Sequence, residues 1–261
     1  MASAAKAHRY ARERGVSPAL YAVVRLLATV LMRLWFRLRV SGGEYLPATG
    51  AAIVAANHKS FLDAFFIGLT TRRRVRFMAK TELFWGPLGW LFVRLGAFPV
   101  RRGEADADAL ATALAILEQD GLLVVFPEGT RVDEPDALGS PHHGAGRIAL
   151  ESGAPIIPTA IRGTSHLWFG PIPKPRRIDV AFLPPVDVDE LDLIDRQVWP
   201  AVQEAYGRLQ ATPGVIAATL AALGAGGLVA RRQRAAKPRL LGIVEPGKLR
   251  RRKTWRKRLR R

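Results

Sequence analysis

The 261 residues are nearly half apolar and 24% charged, enough for one substantial core and unlike a disordered chain, and the absence of cysteine excludes disulfides, thiolate metal sites and a cysteine nucleophile. The net charge of +18 sits at the ends: residues 231–261 carry 15 Lys and Arg against the single acid Glu245, residues 1–43 carry 8 against Glu13, and residues 44–230 are slightly acidic. A nucleic-acid-binding domain would carry its basic face on the folded body, so no nucleic acid is expected as partner; basic ends around a neutral body suit an anionic membrane surface, or are solvated tails with no partner.

In chain order, the short basic start lacks the plan of a cleaved signal. Residues 17–38, SPALYAVVRLLATVLMRLWFRL, place Arg25, Thr29, Arg33 and Arg37 along one stripe of a helix with Leu, Val, Met, Trp and Phe around the rest. Arginines this close argue against a spanning helix; a narrow cationic stripe beside a wide apolar face suits an amphipathic helix docked in the membrane interface, the alternative being a helix packed on the protein's own core.

From residue 44 short apolar runs alternate with helical stretches. Strands are expected at 51–56, 75–79, 122–126, 155–161 and 177–182, and a short strand or bend at 96–100. Helices are expected at 83–95 (broken at Gly86-Pro87), 105–119, 145–151 and 188–209, with an apolar run at 61–69 and a polar loop at 132–143. The alternation predicts an α/β fold with a largely parallel sheet flanked by helices. The organisation expected is a basic N-terminal segment (1–43) with the docking helix, a catalytic domain (44–210), an Ala/Gly-rich apolar segment (211–230) and a basic tail without a packed core (231–261).

In such sheets functional groups sit on the turns beyond strand ends. Asn57-His58-Lys59-Ser60-Phe61-Leu62-Asp63 follows the strand at 51–56. His58 there can act as a general base, oriented by a carboxylate if His58 lies on the turn and Asp63 in the first turn of the next helix. Ser60 and Asp63, three apart, equally read as a capping-box helix start. Phe126-Pro127-Glu128-Gly129-Thr130-Arg131 follows the strand LLVVF and offers glycine, hydroxyl and guanidinium to a phosphate, or is an ordinary turn. Gly96-Ala97-Phe98-Pro99-Val100-Arg101-Arg102-Gly103 adds two guanidinium groups, and Ala154-Pro155-Ile156-Ile157-Pro158 begins an apolar strand. His142 and His143 have no Cys or clustered carboxylate near them in sequence and read as loop residues, so no metal is expected.

Together, in this order, the four blocks resemble those of the glycerolipid acyltransferase family typified by 1-acylglycerol-3-phosphate acyltransferases, over about residues 40–185. The resemblance implies that His58, held by Asp63, takes the proton from an acceptor hydroxyl as it attacks an acyl thioester. It implies that Arg101, Glu128, Gly129, Thr130 and Arg131 hold the glycerol phosphate, with Asn57, Ser60, Arg102 and Pro158 in support. No cofactor is implied: acyl-coenzyme A or an acyl carrier protein is the donor substrate, and the enzyme works at the cytoplasmic face of a membrane among its lipids. Two positions depart from the pattern, Val132 where serine often stands and Pro141-His142-His143 where a Phe/Lys-rich stretch is usual. Both leave open another lysolipid or glycolipid acceptor. A non-catalytic membrane- or nucleic-acid-binding protein using the basic tail, and a hydrolase, are the rival readings.

Overall fold

The structure, a computed structural model, describes residues 4–85 and 87–210. The segments expected at 211–230 and 231–261, and Gly86, lie outside the described residues.

Two helices come first, α1 (Ala4–Glu13) and α2 (Pro18–Trp35). Pro18 suits a first turn, where its fixed φ is helical and its missing N–H is not needed. The chain then runs through β1 (Arg37–Ser41), β2 (Ala52–Ala56), α3 (Asp63–Thr70), β3 (Val75–Lys80), α4 (Pro87–Arg94), β4 (Ala97–Val100), α5 (Ala107–Glu118), β5 (Leu122–Val125), α6 (Gly144–Ser152), β6 (Ile156–Arg162), β7 (Trp168–Phe169), β8 (Ile172–Pro173), β9 (Arg177–Phe182) and α7 (Trp199–Gln210). A one-turn π-helix, Ile194–Val198, leads directly into α7.

Seven strands form one sheet in the order β1-β9-β6-β2-β5-β3-β4. The five from β6 to β4 are mutually parallel, β9 runs antiparallel to β6, and β1 is parallel to β9. Central strands buried on both faces explain why the runs read as continuous apolar stretches. In β2, Ala52, Val54 and Ala56 join a core with Phe36, Phe66 and Phe84, while Ile53 and Ala55 face Phe98, Ile116, Leu123 and Ile148. Helix α3 therefore covers one face and α5 with α6 the other. Asp106 caps α5, its carboxylate accepting from Ala109 N at 3.1 Å.

The α/β expectation holds, with three differences. The helix expected at 17–38 stops at Trp35, and Arg37 begins strand β1, so the sheet takes in residues from the segment set apart as 1–43. Helix α1 and the β7–β8 hairpin were not foreseen. Of the polar stripe, Arg25 and Thr29 face the body: Arg25 donates to the Thr71 carbonyl, and Thr29 is half-buried. What α2 shows to solvent is Val23, Leu26, Leu27, Val30, Leu31 and Leu34. Among the described residues no single helix is long and apolar enough to cross a membrane; α1 and α2 pass that test only as a pair bent by 98°.

Candidate active site

The carboxyl ends of the five parallel strands share one rim, and three of them, β2, β4 and β5, lead into the blocks that carry polar chemistry. At the end of β2 the Asn57 side chain does what another strand residue would do: its Nδ2 donates to Ile161 O at 2.9 Å and its Oδ1 accepts from Ile161 N at 2.8 Å. The amide satisfies the β6 backbone while the main chain leaves the sheet. His58 follows on the turn.

Three groups fix His58. Its backbone N–H donates to Glu128 Oε2 at 2.7 Å, its carbonyl accepts from Val132 N at 3.0 Å, and its ring stacks on Phe126 with centroids 4.1 Å apart and planes at 17°. Asp63, the first residue of α3, turns back so that Oδ2 lies 2.9 Å from His58 Nδ1. The same oxygen accepts from Lys59 N and Ser60 N, each at 2.7 Å. An ionised carboxylate only accepts, so Nδ1 carries the proton and Nε2 keeps a lone pair for an incoming proton. A full capping box does not form, because the helix N-cap is Leu62 and Asp63 N donates to the Ser60 carbonyl and not to its hydroxyl. Asp63 supplies the carboxylate half of a capping box to Ser60 N and orients the histidine, while the Ser60 hydroxyl accepts from Leu62 N at 3.3 Å.

Glu128 is a buried structural bridge. Its Oε1 accepts from Gly139 N at 2.8 Å, so one carboxylate ties the His58 backbone to the loop after Arg131. Burial pushes its pKa above the usual value for a glutamate, against the pull of the two amide hydrogen bonds. Gly129 has φ +68°, and a Cβ there would meet His142 Cδ2 at 3.0 Å. The conformation and the approach of His142 both require glycine. Thr130 and Arg131 are exposed beyond it.

The two arginines after β4 separate. Arg101 is engaged by acids, with Nε 3.4 Å from Glu104 Oε2 and Nη2 3.4 Å from Asp106 Oδ1. Arg102, though exposed as a residue, has its pKa lowered by partial desolvation of the guanidinium and next by the Arg131 charge, against Glu82. Arg102 thus feels the Arg131 charge, a repulsion that an anion beside it would relieve. The structure places Pro158 inside β6 opposite Ala55, its carbonyl accepting from Leu183 N at 2.9 Å, as a member of the sheet.

A second tier was missed by sequence reasoning. Lys59 Nζ donates to the carbonyls of Glu134 (2.6 Å) and Ala137, and burial lowers its pKa. Trp199 Nε1 donates to Gly139 O at 3.0 Å and the Tyr206 hydroxyl to Pro135 O, while Arg162 pairs with Asp136 at 2.8 Å. The loop at 132–143 is thereby strapped to the His58 turn, to β6 and to α7. Only the position of Lys59 inside the first block hinted at this. Among the described residues no three His, Asp or Glu side chains converge on a metal position; His143 pairs with Asp195 at 2.7 Å.

Comparison with known proteins agrees with this geometry. A family model described as Acyltransferase matches residues 37–162. The 1-acyl-sn-glycerol-3-phosphate acyltransferase of Bacillus subtilis is 30% identical over 52% of this chain and 68% of its own length. A chloroplastic enzyme of the same name from Arabidopsis thaliana is 29% identical over 56% of this chain. The chain spans 41% of the length of that Arabidopsis relative and 43% of a Brassica napus one. The crystal structure of the 1-acyl-sn-glycerophosphate acyltransferase from Thermotoga maritima superposes with a TM-score of 0.63 at 26% identity, covering 82% of this chain and 86% of that one. The chain belongs to the glycerolipid acyltransferase family of which these enzymes are members.

Proposed function

We propose that the protein transfers a fatty acyl group from a thioester to the free hydroxyl of 1-acylglycerol-3-phosphate, giving phosphatidic acid, with His58 as general base. The observation that carries this reading is the His58–Asp63 pair, Nε2 free, on the same rim as the Arg102 and Arg131 guanidinium groups. Nε2 takes the proton as the acceptor oxygen bonds to the thioester carbonyl carbon, and Asp63 stabilises the imidazolium. Collapse of the tetrahedral intermediate breaks the carbon–sulfur bond, and the departing thiolate takes that proton back. The donor is acyl-coenzyme A or acyl carrier protein. Arg102 and Arg131, with the turn at Gly129 and Thr130, receive the acceptor phosphate; Arg101, occupied by Glu104 and Asp106, supports the turn from outside.

The exposed apolar face of α2 lies on the membrane where both lipids are found, at the cytoplasmic surface, with anionic headgroups as partners. A different lysolipid acceptor is the second reading. It is favoured by His142, which stands where family members often carry a Phe/Lys-rich stretch and packs on Gly129.

Thiol release from acyl-coenzyme A in mixed micelles tests the proposal, and the chain's lack of cysteine removes its own background. Release that requires lysophosphatidic acid and vanishes in His58→Ala is expected. Release without any acceptor would mean hydrolysis. Silence across a panel of lysolipids and both donor types would favour a binding role.

A further inference from the structure

Strands β7 and β8 stand apart from the main sheet as a two-stranded hairpin, Trp168 opposite Pro173 and Phe169 opposite Ile172, turning at Gly170 and Pro171. Phe169 is 78% exposed, Ile172 57% and Trp168 45%. Three large apolar side chains on so small a hairpin add nothing to the core, and a hairpin of this size is marginal unless anchored. It is anchored at its base. Lys174 N donates to the carbonyl of the buried Leu167 at 2.6 Å, Arg176 Nη1 donates to Ser165 O at 2.9 Å, and Trp35 Nε1 donates to Pro173 O at 2.7 Å.

The last contact joins the hairpin to the C-terminal end of α2, where Leu31, Leu34 and Trp35 are exposed. The apolar surface therefore continues from α2 onto the hairpin. Its charged surroundings are mainly cationic: Lys174 and Arg176 follow the hairpin, Arg37 and Arg39 are exposed on the strand that follows α2, and the one acid close in sequence, Asp179, is buried and paired with Arg177 at 2.7 Å. Aromatic and aliphatic side chains ringed by cations match a bilayer with anionic headgroups.

We propose that the β7–β8 hairpin is a second membrane contact, inserting Trp168, Phe169 and Ile172 into an anionic bilayer beside α2. This rests on the reading of α2 as an interfacial helix and fixes how the body is oriented: the edge of the sheet formed by β1 and β9 faces the lipid together with α2. The two contacts differ in sequence position, so substitutions separate them. Phe169 and Ile172 are exposed and belong to no part of the catalytic machinery, so their replacement leaves turnover of a short-chain, water-dispersed acceptor unchanged.

The experiment uses the full chain and phosphatidylcholine vesicles with and without phosphatidylglycerol. Phe169→Asp/Ile172→Asp is expected to weaken co-sedimentation with the anionic vesicles about tenfold or more, the order expected for losing two buried apolar side chains. Leu31→Asp/Leu34→Asp serves as the α2 control. Because the chain has no cysteine, Phe169→Cys takes a single environment-sensitive fluorophore, whose emission is expected to shift to the blue on vesicle binding. The inference is overturned, with the α2 reading intact, if the hairpin variant sediments like wild type while the α2 variant does not, or if the bound protein's label stays in water. A blue shift on raising protein concentration without lipid would overturn it in favour of a second copy of the chain. Failure of the wild-type chain to bind either vesicle would remove both readings together.

Discussion

Asp63→Asn separates the charge of the carboxylate from its shape. In the native site one oxygen, Oδ2, accepts all three hydrogen bonds, from His58 Nδ1, Lys59 N and Ser60 N, while Oδ1 is buried without a protein partner. An asparagine can turn its single oxygen toward those three donors and put its NH₂ where Oδ1 lies. The fold cost is that of a buried donor without a partner, about 1–3 kcal/mol, a loss of about 2–4 °C in Tm per kcal/mol for a body of this size. The catalytic cost is larger. The reaction creates an imidazolium beside Asp63, and two unit charges with centres ~4 Å apart at an effective dielectric near 20 attract by about 4 kcal/mol. Loss of that attraction from the transition state corresponds to about 10³ in rate, within the range for disabling a general base's partner. Thiol-release kinetics with saturating donor should show kcat falling about a thousandfold with KM for the lysolipid nearly unchanged. A kcat within threefold of wild type, in a variant of native circular dichroism, would refute the assignment of His58 and Asp63 as base and orienting acid.

Arg102→Ala should raise KM for the phosphorylated acceptor about tenfold or more, whereas Arg101→Ala, whose partners are Glu104 and Asp106, should change it less than about threefold; equal effects would undo the division made from the ion pairs. In Gly129→Ala the φ of +68° costs about 1–2 kcal/mol, and the new methyl meets His142; acceptor KM should rise while the His58 turn stays intact, and an unchanged KM would mean that the glycine serves the turn alone. Lys59→Met removes two charged hydrogen bonds from the loop at 132–143, so cleavage by a Glu-specific protease at the exposed Glu134 should rise on the order of tenfold. Burial raises the Glu128 pKa above 4.5, so in that window the folded chain binds more protons than the unfolded chain. Its contribution to stability must therefore fall as pH rises from about 4.5 through the raised value. Urea midpoints measured against pH should show wild type losing ground to Glu128→Gln across that window; the opposite trend would mean that the two amide hydrogen bonds outweigh burial.

The parallel core was legible because buried strands need continuous apolar runs, which AIVAA, LLVV and IIPTAI supply. The His58–Asp63 pair was legible because its members are five residues apart on one turn, so local chain geometry alone can bring them together. Strand β1, RLRVS, was not: its burial is slight and its place in the sheet depends on pairing with β9, on the far side of the catalytic block. Helix α2 was legible as amphipathic but not in its orientation. The spacing of its arginines is right for one face, but amphipathicity does not say which face meets the protein. The Thr71 carbonyl, which no local pattern announces, draws Arg25 inward and turns the apolar face out.

The same limit applies at the site. Arg101 and Arg102 are chemically identical neighbours just beyond the end of β4. What distinguishes them is Asp106, whose carboxylate accepts the Arg101 amide at 2.8 Å while capping α5. A helix cap thus holds the Arg101 backbone, and Glu104 and Asp106 engage its guanidinium, contacts that Arg102 does not share. Glu128 shows the converse. A carboxylate facing a phosphate would repel it. With its two oxygens spent on the His58 and Gly139 amides it is no longer an anion-facing group. It links the base to the loop that closes over it, so a substitution at Glu128 must disturb catalysis through the position of His58 before it disturbs phosphate binding.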